Sequence, residues 1–155
     1  MSKPTSRSAT SAKHSSESES LLRQTILEYQ AIFDHAPVGI ALMRNQRFQH
    51  VNHRFEKMFG WPRGALEDER GEVAWMSPQD YAEVGRIVGP QLSEGRPVEL
   101  EREMRRRDGS SFWCRVRAMP IDPLDPPQCA TVWILEDITE QRSALWDLPR
   151  AQREV

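Results

Sequence analysis

The sequence predicts an α+β fold, with one antiparallel sheet and short helices on one of its faces. Strand-like segments fall into two groups, with helical segments before, between and after them. Over residues 98–104, glutamates alternate with mostly apolar residues, which is the period of a half-buried strand. Asp108-Gly109 then joins this segment to another strand-like one, a strong signal for a hairpin.

The chain is predicted to become ordered only after residue 20. Residues 1–20 are rich in Ser, Thr and Lys and contain no large apolar residue after Met1, so we expect them to be disordered. A helix is predicted at residues 21–35, where apolar residues recur at spacings of four, three and four: Leu22, Ile26, Tyr29 and Phe33. This stripe fits a helix packed on its own domain and equally a short coiled-coil seam between two chains.

The first two strands and the next helix follow this segment closely. Pro37 ends the helix, and the apolar run that follows it predicts a strand. A polar turn at residues 44–46 leads to a second strand at residues 48–52. Asn52 is placed to cap the following helix, whose buried face is predicted to carry Phe55, Met58 and Phe59.

The second half is predicted as one helix, three strands and a terminal helix. Ser77, followed by Pro78, is typical of a helix start, and its apolar face is Tyr81, Val84, Ile87 and Val88. In the strand after the Asp-Gly turn, alternate residues share one face: Cys114, Val116 and Ala118. A Pro/Asp-rich loop precedes the last strand, at residues 129–136, and residues 140–146 predict a further helix.

Composition excludes several functional classes. The net charge of −2 and the pI of about 6.1 argue against a nucleic-acid-binding protein, which usually carries a basic excess. No apolar run approaches the roughly 20 residues that cross a bilayer, and no signal-peptide pattern is present. Cys114 and Cys129 do not form a CxxC pair. We therefore expect a cytoplasmic protein with reduced thiols and no membrane contact.

Four groups of residues, in this order and spacing, resemble the PAS family over residues 32–141. They are Phe33 with residues 36–40, Asn52 with Phe55 and residues 59–61, the segment 77–80, and residues 107–110 with Trp113 and the later segment 137–139. The resemblance implies a PAS domain at residues 36–140 and a C-terminal helix or tail at 141–155. It also implies the PAS fold: a five-stranded antiparallel sheet, short helices on one face, a small cavity, and flanking N- and C-terminal helices.

The resemblance also implies a function. Residues 112–115 and 133–137 are similar to sensory-box domains that precede diguanylate cyclase or phosphodiesterase modules. We expect a non-catalytic input and dimerisation module that binds a small organic ligand in its core. It would signal to an output domain or partner protein outside this chain. A ligand-free dimerisation scaffold is the first alternative, and a redox sensor with non-covalent flavin is the second.

The candidate ligand contacts come from the predicted inward faces. Arg102 falls by alternation on an apolar face, so it needs an anionic partner or a route to water. It either binds a carboxylate or phosphate of the ligand or extends its charged end to the rim. The residues predicted to bind ligand are Arg102, Leu42, Asn52, Phe55, Trp61, Ile87, Leu100, Cys114 and Ile134. Ile40, Val84, Val116 and Val132 are predicted to point inward with them.

Cofactors are constrained by where the histidines and cysteines fall. None of the four histidines lies in residues 61–89, where haem-binding PAS domains carry their ligand, so haem is disfavoured. Both cysteines lie in the C-terminal strands, which argues against flavin-thiol photochemistry. Non-covalent flavin would use Asn52 and Trp61.

No metal site or catalytic site is predicted. His50, His53 and Glu56 lie close in sequence, but no further ligands complete a zinc shell. Cys114 lies among apolar neighbours, which makes its thiol a poor nucleophile. We therefore expect that no metal or cofactor is required and that the chain is not an enzyme.

Two surfaces are predicted to carry the signal. An outer apolar face of the sheet needs a cover, and the helix at residues 21–35 would supply it from the same chain or from a second copy in a homodimer. That face is predicted to hold Trp113, Met119, Trp133 and Leu135. Signal transfer to the last helix is assigned to Asp137 and Thr139, with Arg105 or Arg107 pairing with Asp137.

Overall fold

The computed structural model describes residues 6–121 and 130–146 and divides the chain at His35 into two units. The first unit is helix α1 (Ser6–His35), whose apolar side chains are mostly exposed: Leu21, Leu22, Ile26, Leu27, Tyr29 and Ile32. The prediction of disorder through residue 20 is therefore wrong from Ser6 onward. Neither glycine nor proline occurs between Ser6 and His35, so nothing in the backbone interrupts the helix.

The second unit is one antiparallel sheet with helices, in the predicted order and with the predicted fold class. Its strands are ordered β2-β1-β5-β4-β3. The elements are β1 (Gly39–Arg44), β2 (Arg47–Val51), α2 (His53–Phe59), a 3₁₀ helix (Gly71–Ala74), α3 (Pro78–Ser93), β3 (Val98–Arg105), β4 (Ser111–Pro120), β5 (Ala130–Asp137) and α4 (Thr139–Trp146). Among the described residues, no helix combines the length and apolarity needed to span a bilayer.

Asn52 joins the start of α2 to the first strand. Its Oδ1 accepts hydrogen bonds from the backbone N–H of Phe55 at 3.0 Å and of Ile40 at 2.9 Å. Its Nδ2 donates to the carbonyl of Val38 at 3.0 Å, and the side chain is fully buried. The predicted cap is confirmed, and the same side chain also fixes the chain entering β1.

The central strands turn the opposite faces inward from those predicted. Ala41 lies opposite Trp133 and Gly39 opposite Leu135, and these residues face the helices. The predicted inward positions of Ile40, Leu42, Val132 and Ile134, and the predicted outward positions of Trp133 and Leu135, are therefore wrong.

Close packing of α2 explains this choice of face in β1. A Cβ placed on Gly39 would lie 3.1 Å from the Met58 sulfur and 3.2 Å from the Phe55 Cα, so only a very small residue fits beneath α2. Both faces of β1 and β5 are apolar in sequence, so alternation alone could not choose between them.

The predicted faces of β3 and β4 are confirmed. Leu100 lies opposite Val116, Arg102 opposite Cys114 and Met104 opposite Phe112, all on the inner face. Below this end of the sheet, three aromatic rings of the core pack against one another. The Phe55 and Phe59 rings stack at 4.5 Å, and Phe59 meets Phe112 edge-on at 5.1 Å. The predicted buried face of α2 is thus confirmed.

Candidate functional site

A cavity of about 870 Å³ lies between the inner face of the sheet and α3. Its floor is formed by small or apolar residues of the central strands, including Ala41, Met43 and Leu135. The turn between β1 and β2, the 3₁₀ helix and α3 form its sides. This turn has two residues, Asn45 and Gln46, with φ of 53° and 63°, the backbone of a tight hairpin. The volume is within the usual range for small-molecule sites.

Aromatic side chains dominate one wall of the cavity. The Trp75 ring lies 6.3 Å from Trp133, edge-on, and 6.5 Å from Tyr81. Phe48 and Phe55 extend this wall, with ring centroids 5.5 Å apart. Such a surface offers contact area to a ring or a branched apolar group.

The polar residues around the cavity are either uncharged or positively charged. The Tyr81 hydroxyl donates to Gln46 Oε1 at 3.3 Å. Burial raises the pKa of Tyr81, with Arg70 lowering it and Glu72 raising it, so the phenol stays protonated at neutral pH. Arg44 and Arg86 also line the cavity, whereas none of the described lining residues is Asp or Glu.

Two glycines of α3 line the cavity. Gly85 and Gly89 both line it, and a Cβ placed on either would meet no atom within 4 Å. Pro90 follows within the same helix. Packing inside the domain therefore does not require glycine at these two positions.

Of the nine predicted ligand contacts, the structure places Phe55 on the cavity. Leu42 and Ile134 lie on the outer face of the sheet, and Ile87 is 47 % exposed on α3, so its predicted inward position is wrong. The remaining five are not among the residues that line the cavity: Asn52, Trp61, Leu100, Arg102 and Cys114. Any ligand role for these residues stays a prediction.

Sequence reasoning missed the aromatic wall and Arg86. Trp75 precedes α3 in a segment without apolar periodicity, so no sequence signal pointed to it. Trp133 was assigned to the wrong face, and Tyr81 was predicted only as part of a buried helix face. No sequence signal pointed to Arg86, because residues two apart in a helix, such as Val84 and Arg86, do not share a face.

Arg102 has anionic partners within the chain. Its guanidinium lies 3.1 Å from Asp80 Oδ1 and 3.7 Å from Glu83 Oε1, both on α3. An arginine on an apolar face needs an anionic partner, and Asp80 and Glu83 of the same chain provide it. The contact ties β3 to the first turns of α3.

The comparison with known families decides the identity of the fold. The family profile described as PAS fold matches residues 33–143. This chain belongs to the PAS family. PAS domains are sensory, and this one is 30 % identical over 120 residues to the sensor protein TdiS of Thauera aromatica. The match covers 77 % of the chain but 22 % of TdiS, so the chain spans about a fifth of the length of that relative.

Solved PAS structures share the architecture. One is the PAS domain of a LuxR-family transcriptional regulator from Burkholderia thailandensis, in complex with ethanol. It is 27 % identical, with a TM-score of 0.65 over 71 % of this chain and 96 % of that one. The PAS domain of an HTR-like protein from Haloarcula marismortui is 21 % identical, with a TM-score of 0.64 over 79 % and 99 % of the two chains.

The step from the sheet of this PAS domain to its last helix is held by several contacts. Asp137 Oδ1 accepts from the Thr139 N–H at 2.9 Å, and the Trp113 N–H donates to Thr139 Oγ1 at 3.0 Å. Arg142 of α4 lies 3.7 Å above the Trp113 ring. The basic partner of Asp137 is Arg106, at 3.9 Å, and the prediction of Arg105 or Arg107 was wrong.

His53 and Glu56 lie in the first turn of α2. His53 Nδ1 lies 3.7 Å from Glu56 Oε1, while Glu56 Oε2 accepts from the Gly64 N–H at 2.7 Å. Glu56 is thereby engaged in holding the loop after α2. Within residues 6–121 and 130–146, no three acidic, histidine or cysteine side chains converge on a common point.

Cys114 lies fully buried on the inner face of β4. Burial, with a smaller contribution from the nearby Asp137 carboxylate, raises the pKa of its thiol from an ordinary 9.0 to about 12. The thiol is therefore protonated and unreactive at neutral pH. Cys129 lies outside the described residues.

Cys114 makes the stability of the domain sensitive to alkaline pH. Between pH 9 and pH 12 the folded thiol keeps its proton and the unfolded thiol loses it. The contribution of Cys114 to the unfolding free energy is therefore complete below pH 9 and is lost as the pH rises toward 12. Between pH 9 and about pH 10.5 we expect the wild type to lose about 2 kcal/mol more unfolding free energy than Cys114→Ala. Urea denaturation at each pH measures this difference. Parallel pH profiles for the two proteins would contradict it.

Proposed function

We propose that this PAS domain is a signalling input module that binds a small organic ligand in the cavity beneath α3 and acts as a homodimer. The cavity carries the proposal, because it combines about 870 Å³ of space with an aromatic wall and a few polar groups. The Burkholderia thailandensis PAS domain, at 27 % identity, is a relative in complex with a small organic molecule.

Identification of a bound ligand tests this proposal directly. The purified protein is denatured, the released small molecules are identified by mass spectrometry, and a visible absorption spectrum is recorded before denaturation. We expect an organic compound in near-stoichiometric amount and no visible band. A flavin spectrum would favour the redox-sensor alternative. Absence of any released compound, together with failure of a small-molecule library to raise the melting temperature, would favour the ligand-free scaffold.

The dimer proposal rests on two apolar surfaces. One is an outer apolar patch on the sheet, comprising Ile40, Leu42, Met119, Val132 and Ile134, all exposed or half-buried. The other is α1, whose apolar residues are exposed, including Leu22, Ile26 and Tyr29 of the predicted stripe. Contiguous apolar surface of this kind marks a contact site. We propose that a second copy covers the patch.

The patch differs in composition from that predicted. Trp133 and Leu135 face the cavity, so they are removed from the dimer surface. Trp113 is on the outer face, but its ring is covered by Arg142. The neighbouring half of that face is a ladder of charges, in which Arg115 lies 3.3 Å from both Glu101 and Glu136. The apolar half is therefore the half available to a partner.

We further propose that the signal leaves through α4 to an output domain or partner protein. Arg142 supports this route, because it contacts Glu101 of β3 at 3.1 Å as well as the Trp113 ring. A change in the position of β3 or β4 on ligand binding would thus alter the contacts that hold α4. The similarity of residues 112–115 and 133–137 to domains preceding diguanylate cyclase or phosphodiesterase modules makes those our candidates for the output.

A further inference from the structure

A buried hydrogen-bond donor on the cavity wall lacks a partner. Trp75 is 5 % exposed and lines the cavity. Its backbone N–H donates to the Glu72 carbonyl at 3.1 Å, but its indole N–H has no acceptor among the residues that the structure describes. The neighbouring Trp133 differs, since its indole N–H donates to Thr131 Oγ1 at 2.9 Å. Buried donors are seldom left unpaired, so an acceptor for Trp75 is expected from the contents of the cavity.

The charges of the lining residues indicate that this acceptor is negatively charged. Arg86 lines the cavity from α3, is exposed, and forms no side-chain hydrogen bond or ion pair with any other described residue. Arg44 adds a second positive charge, and the described lining contains no carboxylate. Glu72 acts on Tyr81 electrostatically, but Arg70 acts on the same hydroxyl in the opposite sense. The site therefore favours a negatively charged group.

We propose that the ligand is a small carboxylate with an aromatic or similarly bulky apolar body. Its body packs on the wall formed by Trp75, Tyr81 and Trp133, and its oxygens accept hydrogen bonds from the Trp75 indole and from Arg86. This inference rests on the proposed function and adds the chemical class of the ligand.

Three probes with one carbon skeleton test the class: 2-naphthylacetate, 2-(2-naphthyl)ethanol and 2-(2-naphthyl)ethylamine. Binding of each to the full chain is measured by titration calorimetry. We expect the acetate to bind at least about tenfold more tightly than the amine, with the alcohol between them, because a charge-assisted hydrogen bond is stronger than a neutral one.

Two variants assign the contacts. Trp75→Phe keeps the ring and removes the N–H, and we expect it to weaken the acetate and the alcohol by about 5–10-fold. Arg86→Gln should weaken the acetate by a similar factor and leave the alcohol unchanged. Trp113→Phe and Arg54→Gln are matched controls, since Trp113 is on the outer face of the sheet and neither residue lines the cavity. Thermal unfolding confirms that each variant is folded.

The outcomes separate this inference from the proposed function. An amine that binds as tightly as the acetate, or an acetate affinity unchanged in Trp75→Phe and Arg86→Gln, would overturn the ligand class. Failure of all three probes to bind would also overturn it. In each of these cases the proposed ligand-binding function is judged separately, by whether the purified protein releases a bound compound. A released compound with no acidic group would uphold the function and reject the class.

Discussion

Replacing Asn52 by Ala is expected to lower the unfolding free energy by about 3–5 kcal/mol. The side chain is fully buried and bonds three backbone groups, those of Val38, Ile40 and Phe55. In Asn52→Ala these groups lose their partners in a place that water reaches poorly, so most of the desolvation cost of each is uncompensated. At the same time α2 loses its cap.

Urea denaturation measures this loss, with two variants for comparison. Asn52→Ser keeps an oxygen for the Phe55 N–H but cannot reach both Ile40 and Val38, so an intermediate loss is expected. Lys57→Ala, at an exposed position of α2, should change stability by less than about 0.5 kcal/mol. A loss below about 1 kcal/mol for Asn52→Ala would mean that water replaces these bonds.

Replacing Ile134 by Glu is expected to raise the dissociation constant of the proposed homodimer at least 100-fold, which corresponds to about 2.7 kcal/mol. Ile134 belongs to the outer apolar patch and lies between Ile40 of β1 and Arg117 of β4. A carboxylate there would have to lose its water against an apolar partner surface, and the cross-strand Arg117 is already paired with Glu99 at 3.5 Å. The side chain is only half-buried in the single chain, so the fold should be retained.

Sedimentation velocity over a wide concentration range measures the effect, starting with the wild type. Lys57→Glu is the control, because this residue is exposed on α2, which packs on the other side of the sheet. Trp133→Glu should behave differently: it places a charge against the aromatic wall and lowers the melting temperature. A wild type that stays monomeric at high concentration, or an Ile134→Glu protein that still dimerises, would refute the proposed contact.

The sequence was sufficient where polar and apolar residues alternate. In β3 and β4 the glutamates and arginines mark the solvent face, so the inner positions of Leu100 and Val116 followed directly. The helix caps at Asn52 and Ser77 were equally readable, because each places an oxygen one turn before a backbone donor that needs it. These features are local, and local chemistry decides them.

The cavity could not be predicted because its residues are set by packing between distant segments. In β1 and β5 both faces are apolar, and only the approach of Met58 to Gly39 shows which one meets the helices. Trp75 enters the wall from a short segment with no periodic pattern. The aromatic wall exists because Trp75 and Tyr81 meet Trp133 of β5, which lies more than 50 residues later in the chain.

Helix α3 also bears on how the proposed ligand would enter and leave the core. Glycine costs a helix interior up to about 1 kcal/mol relative to alanine, and α3 contains two such positions without any packing that requires them. Pro90 removes one more hydrogen bond from the same helix. These three residues lower the cost of opening this side of the cavity, while the antiparallel ladder behind it stays paired. If the cavity holds the proposed ligand, we expect that ligand to exchange by fraying of α3 without global unfolding.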